Sequence, residues 1–205
     1  MTNIRISSIQ PPFADKEIYP RATRFLRRAD AMGLLEEPVE ELSAAVVRRV
    51  AQRLSRRGLA RDVAVNLAKP KPSPEEYAAY FDAAARALEE SPVPQAELAK
   101  LQTILDQELL TELLDVSAAS LQRYQKGTRE TPDDVADRAH FLTEVIAALE
   151  GTYNEFGIRR WFDRPRTLFG GRTARQLLSQ RWKPQGQSAQ RVLSAAQSLQ
   201  HLGAT

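Results

Sequence analysis

The chain has 205 residues, of which 42% are hydrophobic and none is cysteine. This composition is typical of a globular protein and provides enough chain for one large domain or two small ones. Without cysteine, the chain has neither disulfide bonds nor thiolate metal ligands. Because no apolar run has the length of a signal peptide or a membrane span, we expect a cytoplasmic location.

The net charge of +3 is unevenly distributed along the chain. Residues 1–72 carry 14 basic and 8 acidic side chains, residues 73–116 carry 2 and 10, and residues 117–205 carry 13 and 8. The chain is therefore basic, then acidic, then basic, and each block can have its own partner. A basic block can meet phosphate or an acidic protein surface, and charge alone does not distinguish these partners.

Residues that typically begin or end helices are frequent in the first part of the chain. No convincing strand with alternating polarity is present, so we predict an all-α fold. Pro20 can open a helix that Gly33 ends. A second helix is predicted over 37–57 and a short third over 59–67. The second helix would bury an apolar stripe at helical spacing. Its members are Leu42, Val46, Val47, Val50 and Leu54.

A linker is predicted over 69–73, where two prolines disfavour both helix and strand. Ser73 and Glu76 then form a capping box with Pro74 in the first turn, which predicts a helix up to residue 90. Further helices are predicted over 95–105, 107–114, 118–125, 132–153, 155–163, 174–181 and 188–201. This order suggests a basic helical extension over 1–72, a connecting helix and linker over 73–92, a domain over 93–146 and a C-terminal domain over 147–205.

The sharpest local pattern runs from Gln107 to Gly127. An apolar face of leucines ends at Leu114, and Val116 fills the turn that follows. Ser117 is a good N-cap for a second helix, and Gly127 suits a left-handed C-terminal cap. This layout predicts a helix-turn-helix whose second helix can enter a major groove.

The same run resembles the Xre family of helix-turn-helix repressors. The matching residues are Gln107, Leu113, Leu114, Val116, Ser117, Leu121, Arg123, Tyr124 and Gly127. The resemblance implies that an exposed face contacts operator DNA. The residues implied in this contact are Gln107, Ser117, Ala118, Ala119, Gln122, Arg123 and Lys126.

Two features depart from the family pattern. Asp115 stands where the turn usually carries glycine, and Ala118 and Ala119 replace longer polar side chains. Alanine can touch a thymine methyl group but makes no bidentate hydrogen bond. The acidic helices upstream would also repel phosphate. The alternative is therefore a helix-turn-helix that serves only packing or dimerisation.

The second pattern runs from Trp161 to Leu178 and predicts a helix, a loop and another helix. Trp161 and Phe162 would end an apolar face begun by Phe156 and Ile158, and Pro165 would stop that helix. Gly170 and Gly171 permit a sharp loop, and Thr173 with Gln176 forms a second capping box. A glycine pair before a helix can also hold an anion on free amides. No Walker lysine–serine pair accompanies it, which disfavours a nucleotide P-loop.

Together with the upstream motif, this stretch resembles the Xre–MbcA–ParS antitoxin family over roughly residues 95–205. The match consists of the Trp-Phe-x-x-Pro, Leu-Phe-Gly-Gly-x-Thr and Leu-Leu segments and the closing helix from Val192 to Gly203. The chain departs from the family at Ala174 and Gln176, where proline and an acidic residue are common. Residues 1–92 match no family pattern.

The resemblance implies a partner, a RES-domain toxin that depletes NAD. It also implies autorepression of a shared operon and assembly as a homodimer or as a hetero-oligomer with the toxin. A segment near residues 185–205 would block the active site of the toxin. The residues implied in toxin binding are Trp161, Arg164, Leu168, Gly170, Gly171, Arg172, Thr173, His201, Leu202 and Gly203.

Other readings of the chain are less specific. His140 and His201 have no matched spacing for metal binding, so we expect them to be packed or solvated. The sequence shows no catalytic set of a nucleophile, a base and a group that orients the base, so we predict neither an enzyme nor a cofactor site. The arginines of residues 48–57 suit a solvated helix face better than a nucleic-acid stripe. Two alternatives remain: a stand-alone transcriptional regulator whose C-terminal domain dimerises, and a scaffold whose residues 1–92 bind a separate protein or nucleic acid.

Overall fold

In a computed structural model, the structure describes residues 3–67, 69, 72–150, 152–179 and 181–202. The chain forms two compact units, one up to residue 92 and the other from residue 93 onward. The fold is mostly helical, as predicted. Within the described residues, no helix combines the length and apolar character needed to cross a membrane.

The first unit combines two short strands with four helices. Its elements are β1 (Ile4–Ile9), α1 (Ile18–Ala31), β2 (Val39–Leu42), α2 (Ala44–Arg56), α3 (Arg61–Leu67) and α4 (Pro74–Glu89). α1 packs against α4 around an aromatic cluster in which the rings of Phe25 and Phe81 are 5.6 Å apart and those of Phe13 and Tyr77 are 5.1 Å apart. The predicted capping box of Ser73 and Glu76 is confirmed at the beginning of α4.

The prediction that the chain has no strand is wrong. β1 pairs with β2 in parallel, with Ile4 opposite Val39 and Ile9 opposite Leu42. The helix predicted over 37–57 is also wrong at its beginning, because the backbone of Val39–Leu42 pairs with β1 and the helix begins at Ala44. A short strand that pairs with a distant segment shows little periodicity in its own sequence. The helical spacing of apolar residues from Leu42 onward therefore extended the predicted helix over the strand.

The second unit is entirely helical in its described part. Its elements are α5 (Pro94–Ile104), α6 (Gln107–Leu114), α7 (Ala118–Gln125), α8 (Asp133–Leu149), α9 (Glu155–Asp163), a 3₁₀ turn (Thr167–Phe169), α10 (Ala174–Leu177) and α11 (Gln187–Leu202). α8 is the central helix and packs against α5, α6 and α11. One continuous core extends from Leu98 on α5 to Ala196 on α11. The predicted boundary between residues 146 and 147 lies inside α8, and residues on both sides of it share this core.

Candidate functional site

The turn between α6 and α7 is short and tightly hydrogen-bonded. Asp115 adopts the left-handed conformation, with φ 56° and ψ 48°. The amide of Asp115 donates to the carbonyl of Glu112, and that of Val116 donates to the carbonyl of Thr111. Val116 is half-buried against the core. The turn therefore holds a side chain where a glycine is sterically preferred.

α7 is anchored by one face and exposes the other. Leu121 and Tyr124 are buried, and the Ser117 hydroxyl accepts from the amide of Ser120, as its predicted N-cap role requires. Gly127 has the predicted positive φ, 66°. All the residues implied in DNA contact are exposed, namely Gln107, Ser117, Ala118, Ala119, Gln122, Arg123 and Lys126. The sequence analysis missed Arg129, an exposed arginine after α7 whose guanidinium lies 5.7 Å from the Tyr124 ring centroid.

An acidic groove of about 680 Å³ lies beside this turn. It is lined by Glu108, Thr111, Glu112, Asp115, Val116, Ser117 and Ser179. Arg175 of α10 binds the acidic side: its Nη2 lies 3.2 Å from Glu108 Oε1, and its Nε donates to Glu112 Oε2 at 2.9 Å. The hydrogen bond from Arg175 lowers the pKa of Glu112, and the same bond raises the pKa of Arg175. An arginine of the same unit thus offsets part of the negative charge that the sequence analysis expected to repel phosphate.

Arg138 ties α8 to the end of α6. Its side chain is only 8% exposed, and it donates from Nη1 to the Leu114 carbonyl at 2.7 Å. Its Nε donates to the Trp182 carbonyl at 3.2 Å, and its Nη2 pairs with Asp134 at 2.7 Å. Leu114 is the last residue of α6, so the guanidinium satisfies a carbonyl that has no partner within the helix. One buried side chain therefore joins α6, α8 and the segment before α11.

The segment from Arg164 to Arg172 forms a closed loop after α9. α9 ends at Asp163, two residues before Pro165, as predicted. The amide of Arg166 donates to the Arg172 carbonyl, and the amide of Gly171 returns to the Arg166 carbonyl. Gly170 and Gly171 both have positive φ, 66° and 81°. These bonds fix the loop without help from a partner.

Leu168 projects from this loop with 68% of its surface exposed, while its neighbour Phe169 is 1% exposed. Phe169 packs near Trp161 with ring centroids 6.3 Å apart, and the Arg166 guanidinium lies 4.8 Å from the Trp161 ring centroid. Arg191 of α11 also donates to the Leu168 carbonyl. The loop therefore presents one apolar side chain outward from a rigid base.

The residues implied in toxin binding fall into three groups. Arg164, Leu168, Gly170, Gly171 and Arg172 are exposed, and Thr173 is half-buried as the N-cap of α10 in the predicted capping box. Trp161 is 1% exposed and supports the loop from beneath instead of facing a partner. The side chains of His201 and Leu202 and the whole of Gly203 lie outside the described residues. Phe156, expected to begin the apolar face of α9, is instead 59% exposed and stacks with Arg160.

The glycine loop does not form the anion cradle considered from the sequence. The amide of Gly170 donates to the Thr167 carbonyl at 2.9 Å, and the amide of Gly171 donates to the Arg166 carbonyl at 3.0 Å. An anion site needs backbone amides that point outward without partners. Both amides are used within the loop, so the glycines serve its shape.

The sequence analysis missed a buried acid–histidine pair. His140 Nδ1 on α8 lies 2.6 Å from Glu97 Oε1 on α5, and Glu97 is 0% exposed. The amide of Val93 donates to the other Glu97 oxygen at 3.2 Å. No substrate reaches a carboxylate with no exposed surface, so the pair is a structural contact. The sequence signal for this pair was weak. Glu97 is a charged residue at an apolar position of α5, and its partner His140 is 43 residues away.

In comparisons with protein-family models, with curated proteins and with solved structures, the chain gave no match.

Proposed function

We propose that the protein is an antitoxin that binds a cognate RES-type, NAD-depleting toxin through its second unit and contacts operator DNA through α7. The observation that carries the toxin-binding part is the exposed Leu168 on a closed loop. A large apolar side chain held outward by a rigid base is typical of an anchor residue in a protein interface. The loop is preorganised, so binding costs little conformational entropy.

Charge around the anchor supports a partner with an acidic surface. Arg164 and Arg172 are both exposed at the two ends of the loop, and Arg191 lies against its tip. A rim of cations around an apolar anchor favours rapid association with an acidic surface. We therefore expect the toxin to offer an apolar pocket surrounded by carboxylates.

The test is co-expression with the toxin, followed by co-purification and measurement of cellular NAD. We expect Leu168→Asp to lose co-purification and to leave NAD depleted, because a charge would enter an apolar pocket. Val65→Asp is a matched control, since Val65 is 65% exposed on α3 in the first unit. Full protection by the Leu168→Asp protein would refute this interface.

The structure changes how the blocking role of the C-terminal segment should be tested. Ala189, Val192 and Ala196 of α11 are buried against the core, so deletion of residues 185–205 would also damage the fold. Deletion of residues 201–205 alone leaves this buried face intact. If the segment enters the toxin active site, this shorter protein should still bind the toxin and fail to inhibit it.

DNA contact by α7 is supported by its exposed face, which carries Arg123 and Lys126. Arg123→Gln should weaken binding to the promoter of the protein's own operon, with about 1 to 3 kcal/mol lost if it reads a base. Arg160→Gln is the control, because Arg160 is an exposed arginine stacked on Phe156 and remote in sequence from α7. Promoter binding without any effect on a toxin would instead support a stand-alone transcriptional regulator.

A further inference from the structure

The first unit carries an arginine ridge that the proposed function does not use. Arg48, Gln52 and Arg56 are exposed and follow one another at four-residue spacing along α2. The opposite face of α2 is buried through Val47, Val50, Ala51 and Leu54. Residues four apart lie on one side of a helix, so these three side chains form a row on the surface.

More arginines gather where α2 ends. Arg57 is the C-cap of α2, and Gly58 follows it with φ 80°. Arg61 is the first residue of α3, and its guanidinium lies close to the Gly58 backbone. A Cβ atom added to Gly58 would be 3.6 Å from Arg61 Nη2. Asp62 is the acidic residue beside them in the first turn of α3. The row along α2 thus continues into a cluster of guanidinium groups.

Four other arginines of this unit pair with carboxylates. Arg21 pairs with Glu17 and Asp82, and Arg24 pairs with Glu89. Arg49 and Arg53, on the flank of α2, pair with Glu37 and Glu36. In the described part of the unit, no carboxylate partner is found for the ridge and the turn cluster, which comprise Arg48, Arg56, Arg57 and Arg61.

Helix stability alone does not explain this arrangement. Cations near a helix C-terminus interact favourably with the macrodipole, which accounts for Arg56 and Arg57. Arg61 is the first residue of α3, where the same dipole disfavours a positive charge.

We infer that Arg48, Arg56, Arg57 and Arg61 form a second surface for the phosphate backbone of duplex DNA, separate from α7. Arg48 and Arg56 are separated by about 12 Å along the helix axis, at 1.5 Å per residue. The major groove is also about 12 Å wide, so the two ends of the ridge match its two phosphate walls. All four cations are arginines, whose planar guanidinium binds phosphate oxygens in pairs.

The experiment measures binding of the full chain to a fluorescent random-sequence duplex by anisotropy over a range of salt concentrations. It uses an Arg123→Gln/Lys126→Gln background, which removes the two cations among the proposed DNA contacts of α7. In this background, adding Arg48→Gln, Arg56→Gln and Arg57→Gln should lower the affinity by about tenfold or more at low salt. The slope of log K against log salt should become shallower by about 2.7, because each lost phosphate contact contributes about 0.9.

The matched control adds Arg21→Gln, Arg24→Gln and Arg49→Gln to the same background. It removes as much charge from the same unit, but from arginines that already pair with carboxylates. We expect its affinity to stay within about twofold of the background protein. Far-ultraviolet circular dichroism verifies that each variant is folded.

Two results would overturn the inference. One is equal weakening by the control and the ridge variants, which would mean that only net charge matters. The other is unchanged duplex binding by the ridge variant together with lost binding to poly-glutamate, which would identify an acidic protein as the partner. Loss of promoter specificity in the Arg123→Gln/Lys126→Gln background is a separate result and concerns α7 alone.

Discussion

The indole Nε1 of Trp182 donates a 2.7 Å hydrogen bond to the carbonyl oxygen of Leu113. This bond joins two residues 69 positions apart and satisfies a carbonyl near the end of α6. Together with the bond from Arg138 to Leu114, it secures the last turn of α6 from outside the helix. The orientation of α6 before its turn thus depends on a residue that lies beyond α10.

Trp182→Phe tests the value of this bond. The aromatic contact with Phe141, at 5.1 Å, is retained in part, while the buried Leu113 carbonyl loses its donor. We expect a loss of about 1 to 3 kcal/mol in the free energy of unfolding, measured in urea. Trp161→Phe is the matched control because the buried Trp161 Nε1 has no partner among the described residues, so it should cost less. An equal loss in both variants would show that ring volume matters and the hydrogen bond does not.

Asp115→Gly should stabilise the second unit. Asp115 has φ 56°, a conformation that glycine adopts without steric cost. We expect a gain of about 0.5 to 1 kcal/mol, seen as a higher Tm in a thermal melt. Gln122→Gly is the control, because Gln122 is exposed inside α7 and a glycine there should destabilise by a similar amount. A lower Tm for Asp115→Gly would mean that the aspartate makes a contact worth more than its strain.

The bond between Arg175 and Glu112 predicts a dependence on pH. Because the folded-state pKa of Glu112 is lowered from its ordinary value of 4.5, its contribution is present above pH 4.5 and is lost as the pH falls below it. The Glu112 side chain is 42% exposed, so solvent screening limits the effect to about 0.5 kcal/mol.

Arg175→Gln should remove this contribution. Urea melts at pH 6 and pH 3 should show a smaller loss of stability for the variant than for the unmodified protein. Arg24→Gln serves as the control, since Arg24 pairs with Glu89 in the other unit. Identical pH dependence with and without Arg175 would contradict the prediction.

Glu97→Leu should be among the most damaging single changes in the second unit. It removes the partner of His140 and leaves the amide of Val93 without its carboxylate acceptor. Leaving a buried hydrogen-bonding group without its partner typically costs about 1 to 3 kcal/mol. Glu97→Gln keeps an acceptor oxygen and should cost less. Urea unfolding measures both variants, and a cost below about 1 kcal/mol for Glu97→Leu would argue against a structural role.

Local signals in the sequence were sufficient for much of the helical part. Ser73, Ser117 and Thr173 cap their helices as predicted, because capping involves residues only three positions apart. Longer-range features were not visible. β1 and β2 pair across more than 30 residues, and Arg175 meets Glu112 across 63. No local window contains both members of such a pair.

The candidate site also has a part that local spacing predicts and a part that depends on tertiary structure. The exposure of Arg123 and Lys126 follows from the helical spacing that buries Leu121 and Tyr124. The burial of Trp161 beneath Arg166 depends on how the loop closes, and two adjacent glycines do not encode that closure alone. Sequence reasoning therefore located the surface residues of α7 better than those of the C-terminal loop.

The shared core along α8 sets a lower limit on the size of any folded fragment of the second unit. A piece ending at residue 146 would lack Leu149, Trp161 and Val192, which are buried in that core. The apolar side of α8 that they cover would then face water and promote aggregation. A fragment boundary near residue 92 keeps this core whole, whereas a cut at residue 146 exposes it.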